Sequence, residues 1–245
     1  MRIILQKYKK YMLLLSVICV VLTVTAVGMG LSGRGGTSRE AVTVAEEKDK
    51  TEPEAAEGYE EARKVALTFD DGPRAGSTDV LLDGLKERDV KVTFFVIGIY
   101  AEKNPDLVKR IDDEGHLIGN HTYNHVDIAR MDDKSAIKEI EMNSDLIESI
   151  TGKPLEFVRP PFGVWQENLE QKLNVIPVMW TVDPLDWTTE NVDEIVNRVV
   201  TKVEDGDIIL LHDCYKTSVK AALRIIDILS AEGYEFVTVD ELLLD

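Results

Sequence analysis

A chain of 245 residues with 44% hydrophobic residues is long enough for one sizeable domain with a full core. Its net charge of −17 would repel a phosphate backbone, so the composition argues against nucleic-acid binding. Only two cysteines occur, Cys19 and Cys214, and Cys19 lies in an apolar N-terminal run. The fold is therefore expected to be stable without a disulfide framework.

The N-terminus has the pattern of a membrane-spanning segment. Basic residues from Arg2 to Lys10 precede an uncharged run from Tyr11 to Leu31, and about 20 apolar residues suffice to cross the hydrocarbon core. Because the basic flank stays in the cytoplasm, residues 1–31 are predicted to be a single-pass membrane anchor with the rest of the chain outside. The alternative is a signal peptide cleaved near Gly28, which would give a secreted protein.

Residues 32–62 are predicted to be a disordered linker. Glycines at its start are followed by Glu, Lys, Thr and Ala with almost no large apolar side chain. Such a composition buries too little surface to offset the entropy of ordering. The folded domain is therefore expected to span residues 63–245.

Short β-rich runs alternate with helical patterns through this domain. Several of the runs are continuously apolar, as expected for strands of a parallel sheet that is covered on both faces. The predicted strands are Lys64–Phe69, Lys91–Ile97, Leu117–Asn120, Glu156–Arg159, Val175–Thr181, Asp207–Leu211 and Glu235–Val239.

Three intervening helices have recognisable ends. Asn104 precedes a proline at the first helical position; Asn191 with Glu194 is typical of a capping box; and a third helix is predicted from Thr217 to Gly233. Seven strands with intervening helices indicate an α/β fold with a parallel sheet. A barrel with fewer than eight units is the preferred form, and an open doubly wound sheet is the alternative.

Unusual polar residues follow five of the predicted strands. In β/α barrels the loops at the carboxyl ends of the strands form the active site, so these side chains are expected to converge on one rim. They are Asp70 and Asp71, His121 and His125, Arg159, Asp183 and Asp186, and His212 and Asp213.

Two of these groups suggest particular chemistry. His121 and His125 are four residues apart and can share a metal ion, which with a carboxylate would leave an open water position. Asp70 and Asp71 precede Gly72 and Pro73, and neighbouring side chains after a strand point in different directions. One carboxylate can therefore bind metal while the other faces the water, although an Asx turn would also satisfy this sequence.

Five ordered motifs resemble those of the polysaccharide deacetylases, carbohydrate esterase family 4 with its NodB homology domain. They are TFDDGP at 68–73, HTYNH at 121–125, RPPFG at 159–163, DPLDW at 183–187 and LLHD at 210–213. The resemblance implies a distorted seven-stranded (β/α) barrel in a single domain.

The resemblance also implies a role for each motif residue. Asp71, His121 and His125 would hold a divalent metal ion, usually zinc, with cobalt or another divalent ion possible. Asp70 would be the general base toward a metal-bound water, and Arg159 would orient Asp70.

The remaining motif residues would act on the leaving group and the acetyl group. His212 would be the general acid, with Asp186 tuning it. The backbone N–H of Phe162 would bind the oxyanion, and Leu210 and Trp187 would line the acetyl pocket.

Other polar and aromatic residues have structural interpretations. No catalytic role is expected for Asp183 or Asp213. Trp165 and Trp180 are expected in core or rim packing, His116 in a loop and Cys214 as an inert thiol.

The predicted activity is therefore hydrolytic removal of acetyl groups from N-acetylglucosamine units of a cell-wall polysaccharide. Peptidoglycan is favoured over chitin because the domain is expected outside the membrane. An O-acetyl esterase on a polymer such as xylan is one alternative. A catalytically silent glycan-binding module is another, although the complete set of base, acid and metal ligands argues against it. The expected protein is monomeric.

Overall fold

A computed structural model describes residues 62–244. The predicted anchor at 1–31 and the predicted linker, apart from residue 62, lie outside the described residues. Among residues 62–244, no helix combines the length and the apolar character needed to cross a membrane.

All seven predicted strands are present in the described part of the chain, and every pairing between them is parallel. They are β1 (Arg63–Asp70), β2 (Thr93–Val96), β3 (Leu117–Asn120), β4 (Phe157–Val158), β5 (Ile176–Pro177), β6 (Ile208–His212) and β7 (Tyr234–Val237). The order is β5-β4-β3-β2-β1-β6, with β7 also pairing with β1. Residues 65–70 of the central strand β1 are all buried, and they include the continuous apolar run at 65–67 that is expected of a covered strand.

The two edges of the sheet, at β5 and β6, approach each other in the segment that follows β5. Val178 N donates to the Val158 carbonyl, whereas Thr181 N and Val182 N donate to the Ile208 carbonyl on β6. An isolated parallel bridge joins Val182 to Ile209. This contact favours the distorted barrel over the open sheet. It also explains why β5 is shorter than predicted, since the chain changes neighbours within the predicted strand.

Helices cover the outside of the sheet. They are α1 (Thr78–Glu87), α2 (Gly98–Ala101), α3 (Pro105–Asp113), α4 (Asp133–Thr151), α5 (Val192–Val200), α6 (Lys216–Ala231) and α7 (Val239–Leu244). Helix α6 buries Ala222, Ile225, Ile226 and Leu229, a spacing of three to four residues that gives one apolar stripe. This stripe belongs to the core cluster that also contains Leu67 of β1.

Two predicted helix caps differ from the expectation. Asn104 occupies the N-cap position of α3 but makes no side-chain cap, because its amide donates to the Tyr100 carbonyl instead. Asn191 does cap α5 by accepting from the amides of Asp193 and Glu194. The reciprocal half of the capping box is missing, since the Glu194 carboxylate accepts from the Thr189 hydroxyl.

Candidate active site

One cavity of about 400 Å³ brings together eight of the ten residues to which the sequence assigned roles. It lies at the carboxyl ends of the strands, as expected for a β/α barrel. The eight lining residues are Asp70, Asp71, His121, His125, Phe162, Trp187, Leu210 and His212. The other two, Arg159 and Asp186, are buried behind this lining and hydrogen-bond to Asp70 and His212.

The two consecutive aspartates at the end of β1, Asp70 and Asp71, differ in exposure and in backbone conformation. Asp70 is the last residue of the strand and is 3% exposed, whereas Asp71 has a left-handed backbone with φ 71°. An added Cβ at Gly72 would collide with the carboxylate of Asp213. Asp213 is fully buried and accepts from the Thr78 hydroxyl, and burial raises its pKa to about 7. The structural interpretation of Asp213 agrees with this position beneath the turn.

The two histidines lie on a tight turn after β3. Thr122 and His125 both have positive φ, 60° and 56°, so the chain reverses within one short motif. The buried amide of Asn143 on α4 donates to the Val96 and Thr122 carbonyls and braces this turn. Left-handed backbone at non-glycine residues costs free energy, and such residues concentrate at functional sites where the surrounding structure holds them.

His121 has a defined orientation and tautomer. Its Nδ1 lies 2.7 Å from the Arg159 carbonyl oxygen. A carbonyl can only accept, so Nδ1 carries the proton and Nε2 presents its lone pair to the cavity. For His125, burial lowers the pKa, which favours the neutral imidazole that a metal ion requires.

Asp71, His121 and His125 fit a divalent metal ion. Asp71 Oδ1 lies 3.5 Å from His121 Nε2 and 3.3 Å from His125 Nε2, and one ligand atom from each residue lies within 4.8 Å of the others. Two ligand atoms that are each about 2.1 Å from one tetrahedral ion are about 3.4 Å apart. Asp71 Oδ1 is also buried without a hydrogen-bond partner in the described part of the chain, which is costly unless a cation satisfies it.

Asp70 is held by a fully buried arginine. Arg159 Nη1 donates to Asp70 Oδ1 at 2.8 Å and to the Thr68 hydroxyl at 2.7 Å. The guanidinium also donates to the Val178 and Met179 carbonyls. A buried ion pair with such complete hydrogen bonding fixes both partners in one geometry, so the free Oδ2 of Asp70 faces the cavity in a defined position.

His212 and Asp186 form a second carboxylate–cation pair. Asp186 is 1% exposed; its Oδ1 lies 2.8 Å from His212 Nδ1, and its Oδ2 accepts from the His212 amide at 2.9 Å. Burial by itself lowers the pKa of His212. The hydrogen bond and the charge of Asp186 outweigh burial and raise this pKa to about 9, so the imidazole carries a proton at neutral pH.

The remaining predicted residues form the rim. Phe162 is 65% exposed with φ 62°, and its ring lies 5.1 Å from that of His125. Trp187 is 58% exposed, and Leu210 is buried in the middle of β6. These positions are compatible with the predicted oxyanion and acetyl-pocket roles, which stay predictions.

Four further residues, of which Pro160 is one, line the cavity without a predicted role in the sequence analysis. Trp180 lies on the rim of the cavity, which is one of the two positions expected for it. The Arg159 guanidinium lies over its ring. Asp183 lines the cavity and accepts from the Leu185 amide, the turn contact expected of a structural residue. Tyr215 was missed altogether; its position three residues after His212 was the one available signal.

Other expectations hold at residues away from the cavity. His116 lies in a loop, but it is buried, and burial lowers its pKa to about 4. Trp165 packs against a small core cluster near α4. Burial raises the pKa of the Cys214 thiol to about 12, in agreement with an inert thiol.

A comparison with family models matches residues 57–179 to the polysaccharide deacetylases. The chain belongs to this family. It is 41% identical over 178 residues to peptidoglycan-N-acetylmuramic acid deacetylase PdaC of Bacillus subtilis, which covers 73% of this chain and 38% of that protein. A peptidoglycan-N-acetylglucosamine deacetylase of Bacillus cereus is 40% identical over 187 residues, which covers 73% of this chain and 87% of that protein.

A solved structure confirms the fold of this deacetylase-family domain. The peptidoglycan deacetylase PdaC from Bacillus subtilis matches with a TM-score of 0.73 at 40% identity, covering 74% of this chain and 90% of that chain. The chain nevertheless spans less than two fifths of the full length of that relative.

Proposed function

We propose that this protein is a metal-dependent hydrolase that removes N-acetyl groups from N-acetylglucosamine units of peptidoglycan. The observation that carries the proposal is a single cavity that contains a metal-ligand cluster, an arginine-held carboxylate and a protonated histidine. Amide hydrolysis needs an activated water, stabilisation of the oxyanion and a proton for the leaving amine, and this cavity has a candidate for each.

In this proposal Asp71, His121 and His125 hold the metal ion. A carboxylate with two imidazoles is a ligand set of catalytic zinc sites, and cobalt or another divalent ion is the alternative. When bound, the ion polarises the acetyl carbonyl and lowers the pKa of water.

Asp70 is the general base. Its Oδ1 is held by Arg159, and its Oδ2 lies 3.7 Å from His121 Nε2, so the free oxygen lies beside the ligand cluster. From there it can accept the proton of the attacking water. Arg159 holds Asp70 in position, because its guanidinium donates to Asp70 Oδ1.

His212 is the general acid. Its Nδ1–H is directed to Asp186, so Nε2 is the nitrogen free to deliver a proton. Collapse of the tetrahedral intermediate breaks the C–N bond and releases acetate, and the proton from Nε2 turns the nitrogen into a neutral amine. The raised pKa of His212, about 9, keeps this proton in place at neutral pH.

The rim orients the acetyl group in this proposal. The backbone amide of Phe162, a residue whose ring packs beside His125, stabilises the negative charge on the carbonyl oxygen. Leu210 and Trp187 line the same cavity and present apolar surface to the acetyl methyl group.

The acid pair favours an amide substrate over an ester. An amine is a poor leaving group without a proton, whereas the alkoxide of a sugar ester is a better leaving group and depends less on protonation. An O-acetyl esterase would gain little from the buried Asp186, which holds His212 protonated. The complete set of base, acid and ligands likewise disfavours a silent glycan-binding module. The relatives named above act on two different peptidoglycan sugars, so the choice of N-acetylglucosamine over N-acetylmuramic acid is the finer part of the proposal.

The location follows from the N-terminal sequence. We propose that residues 1–31 anchor the protein in the cell membrane and that residues 32–62 tether the catalytic domain, as a monomer, on the outer side. Protease added to intact cells should then cleave the linker and release the domain.

Acetate release tests the activity. The full chain should release acetate from N-acetylglucosamine oligomers and from peptidoglycan, should stop after treatment with a chelator, and should recover when zinc is returned. Undiminished activity after verified removal of the metal would contradict the mechanism. Faster release from acetylated xylan than from any N-acetylated glycan would favour the esterase instead.

A further inference from the structure

One turn of helix α4 packs against the segment that carries the two histidine ligand candidates. Hydrogen bonds join residues 139–144 of α4 to residues 120–124, which include the end of β3 and most of the turn between His121 and His125. None of these described residues of α4 lines the active-site cavity. Any effect of the helix on the site must therefore pass through the turn.

Asn143 is the buried centre of this contact. It is fully buried, and its Nδ2 donates to the Val96 carbonyl at 2.8 Å, to the Thr122 carbonyl at 3.1 Å and to the Asn120 side-chain oxygen at 3.2 Å. Because three oxygens surround this nitrogen, the amide has only one favourable orientation. Its own Oδ1 has no hydrogen-bond partner in the described part of the chain. The donated bonds are therefore the whole polar contribution of this side chain.

Asn120, the last residue of β3, continues the network. Its Nδ2 donates to two oxygens of α4, at 2.7 and 2.9 Å. Its Oδ1 accepts from the Thr122 amide as well as from Asn143. Asn120 directly precedes His121, so this network determines where that ligand candidate leaves the strand.

Thr122 needs such support because its backbone is in the left-handed region. Its φ is 60°, which is rare for a β-branched residue, and its side chain is fully buried. Such a conformation persists only where the surrounding structure holds it. Thr122 lies between His121 and His125 in the chain, so relaxation of its backbone would change the distance between the two imidazoles.

Glu139 holds the more exposed part of the same turn. Its carboxylate accepts from the Asn124 amide at 2.9 Å and from the Asn124 side chain at 2.8 Å, and its backbone carbonyl accepts from another amide of the turn at 3.0 Å. Asn124 directly precedes His125, whose φ of 56° is also left-handed. Helix α4 therefore contacts the turn beside each of the two histidines.

We propose that Asn143 and Glu139 are positioning residues for the metal ion, with the larger effect at Asn143 because it is fully buried. The inference rests on the proposed metal-dependent function and assigns the relative placement of the two imidazoles to α4. A turn that is held before binding loses little freedom when the ion binds, whereas a loosened turn must be ordered at the expense of affinity. Residues that support metal ligands in this way change metal affinity by about 10–100-fold.

The metal affinity of the apoprotein tests this proposal without a measurement of activity. The full chain is stripped with a chelator and titrated with Co²⁺ in competition with an indicator chelator, and the absorption spectrum of the bound Co²⁺ is recorded. Asn143→Ala should weaken Co²⁺ binding by about tenfold or more. The spectrum of the variant should also change, because it reports the arrangement of the ligands around the ion.

Truncation of a neighbouring core residue is the control for lost stability. Ile147 lies one turn further along α4 and is fully buried in the main core cluster, so Ile147→Ala also truncates a buried side chain of this helix. It should lower the melting temperature, because buried apolar surface is lost. It should keep the Co²⁺ affinity within about twofold of the wild type, since no metal-ligand support is removed.

A pair of glutamates provides a second comparison that does not disturb the core. Glu139→Ala removes both carboxylate contacts to Asn124 and should weaken Co²⁺ binding severalfold. Glu141 is exposed on the same helix and makes no hydrogen bond within residues 62–244. Glu141→Ala causes the same change of charge and should retain the wild-type affinity. This pair decides the question if Asn143→Ala does not fold.

The outcomes separate the inference from the function on which it rests. Wild-type affinity and spectrum in Asn143→Ala, or equal affinities in Glu139→Ala and Glu141→Ala if Asn143→Ala does not fold, overturn the positioning role and leave the metal-dependent function intact. An equal loss of affinity in Ile147→Ala and Asn143→Ala assigns the effect to general stability and also overturns the inference. If the wild type binds neither Co²⁺ nor Zn²⁺, the proposed metal-dependent function itself fails.

Discussion

The two sides of the active-site cavity differ in how completely the protein satisfies its own polar atoms. On one side, Asp71 Oδ1 is buried without a hydrogen-bond partner in the described residues and lies 3.3–3.5 Å from two imidazole nitrogens. On the other side, both oxygens of Asp186 bond to His212. The second side is satisfied within the described residues, whereas on the first side one buried carboxylate oxygen lacks a partner that a cation would supply.

Under the proposed function, this difference separates what a bound metal ion would contribute from what the fold contributes. The orientation of His121 depends on the Arg159 carbonyl and that of His212 on Asp186, so both imidazoles are positioned by the protein alone. Removal of the metal is therefore expected to leave the His212–Asp186 pair in place. The consequences of mutation should differ accordingly between the two sides.

The largest effect is expected at the ligand side. His121→Ala should remove both the bound metal and the activity, because two remaining ligands hold a divalent ion far more weakly than three. Metal content measured by elemental analysis, together with acetate release, checks this prediction. His116→Gln is the control, since His116 is a buried histidine that accepts from the Val92 amide away from the cavity. It should lower stability and keep the metal. A His121→Ala protein with full metal content would remove His121 from the ligand set.

Asp70→Asn should retain the metal and lower the rate. Loss of a general base costs roughly 10²–10⁴-fold in rate, whereas the Asn side chain keeps an oxygen to accept from Arg159. The measurement is kcat for acetate release with metal content determined on the same sample. A rate within a few-fold of the wild type would assign the base elsewhere.

His212→Ala should distinguish an acid from a positioning residue. It should retain the metal and slow hydrolysis of an N-acetylated sugar oligomer by about 10²-fold or more. An aryl acetate should be affected only a few-fold, because its leaving group needs little protonation. An equal loss on both substrates would indicate that His212 positions the substrate or supports the fold.

Asp186→Asn should produce the smallest effect, and that effect should depend on pH. A general acid works while it is protonated, so activity falls as pH rises through the His212 pKa of about 9. Without the Asp186 charge this fall should move to lower pH. If the pKa returns to 6.5, the loss at pH 7.5 is about tenfold and at pH 6 it is much smaller. Superimposable pH–rate profiles for the wild type and the variant would contradict this tuning role.

The same pair predicts the pH dependence of stability. The folded-state pKa of His212, about 9, lies above its ordinary value of 6.5. The stabilisation from this group is therefore fully present below about pH 6.5 and is lost as pH rises toward 9. Thermal melting of the wild type should show this decline, and His212→Ala should lack this component of it.

The sequence was sufficient to predict the fold and to collect the residues of the site. Short β-rich runs, several of them continuously apolar, predict all seven strands, and the polar residues that follow five of them meet because parallel strands end on one rim. Eight of the ten predicted site residues line one cavity, and the other two hydrogen-bond directly to members of that lining. These features are local in the sequence or follow from the common direction of the strands.

Only the tertiary structure decided the features that depend on contacts between distant segments. Asp70 contacts Arg159, whereas Asp71 lies beside the histidines. This division depends on the left-handed backbone at Asp71. Tyr215 became part of the site because the turn at residues 186–190 packs beside it. Asn104 does not cap its helix because its side-chain nitrogen is directed to the Tyr100 carbonyl, in an orientation in which its oxygen does not accept from the helix amides. In each case the outcome depends on which of several possible partners the folded chain brings into contact. The residue types alone do not determine those distances.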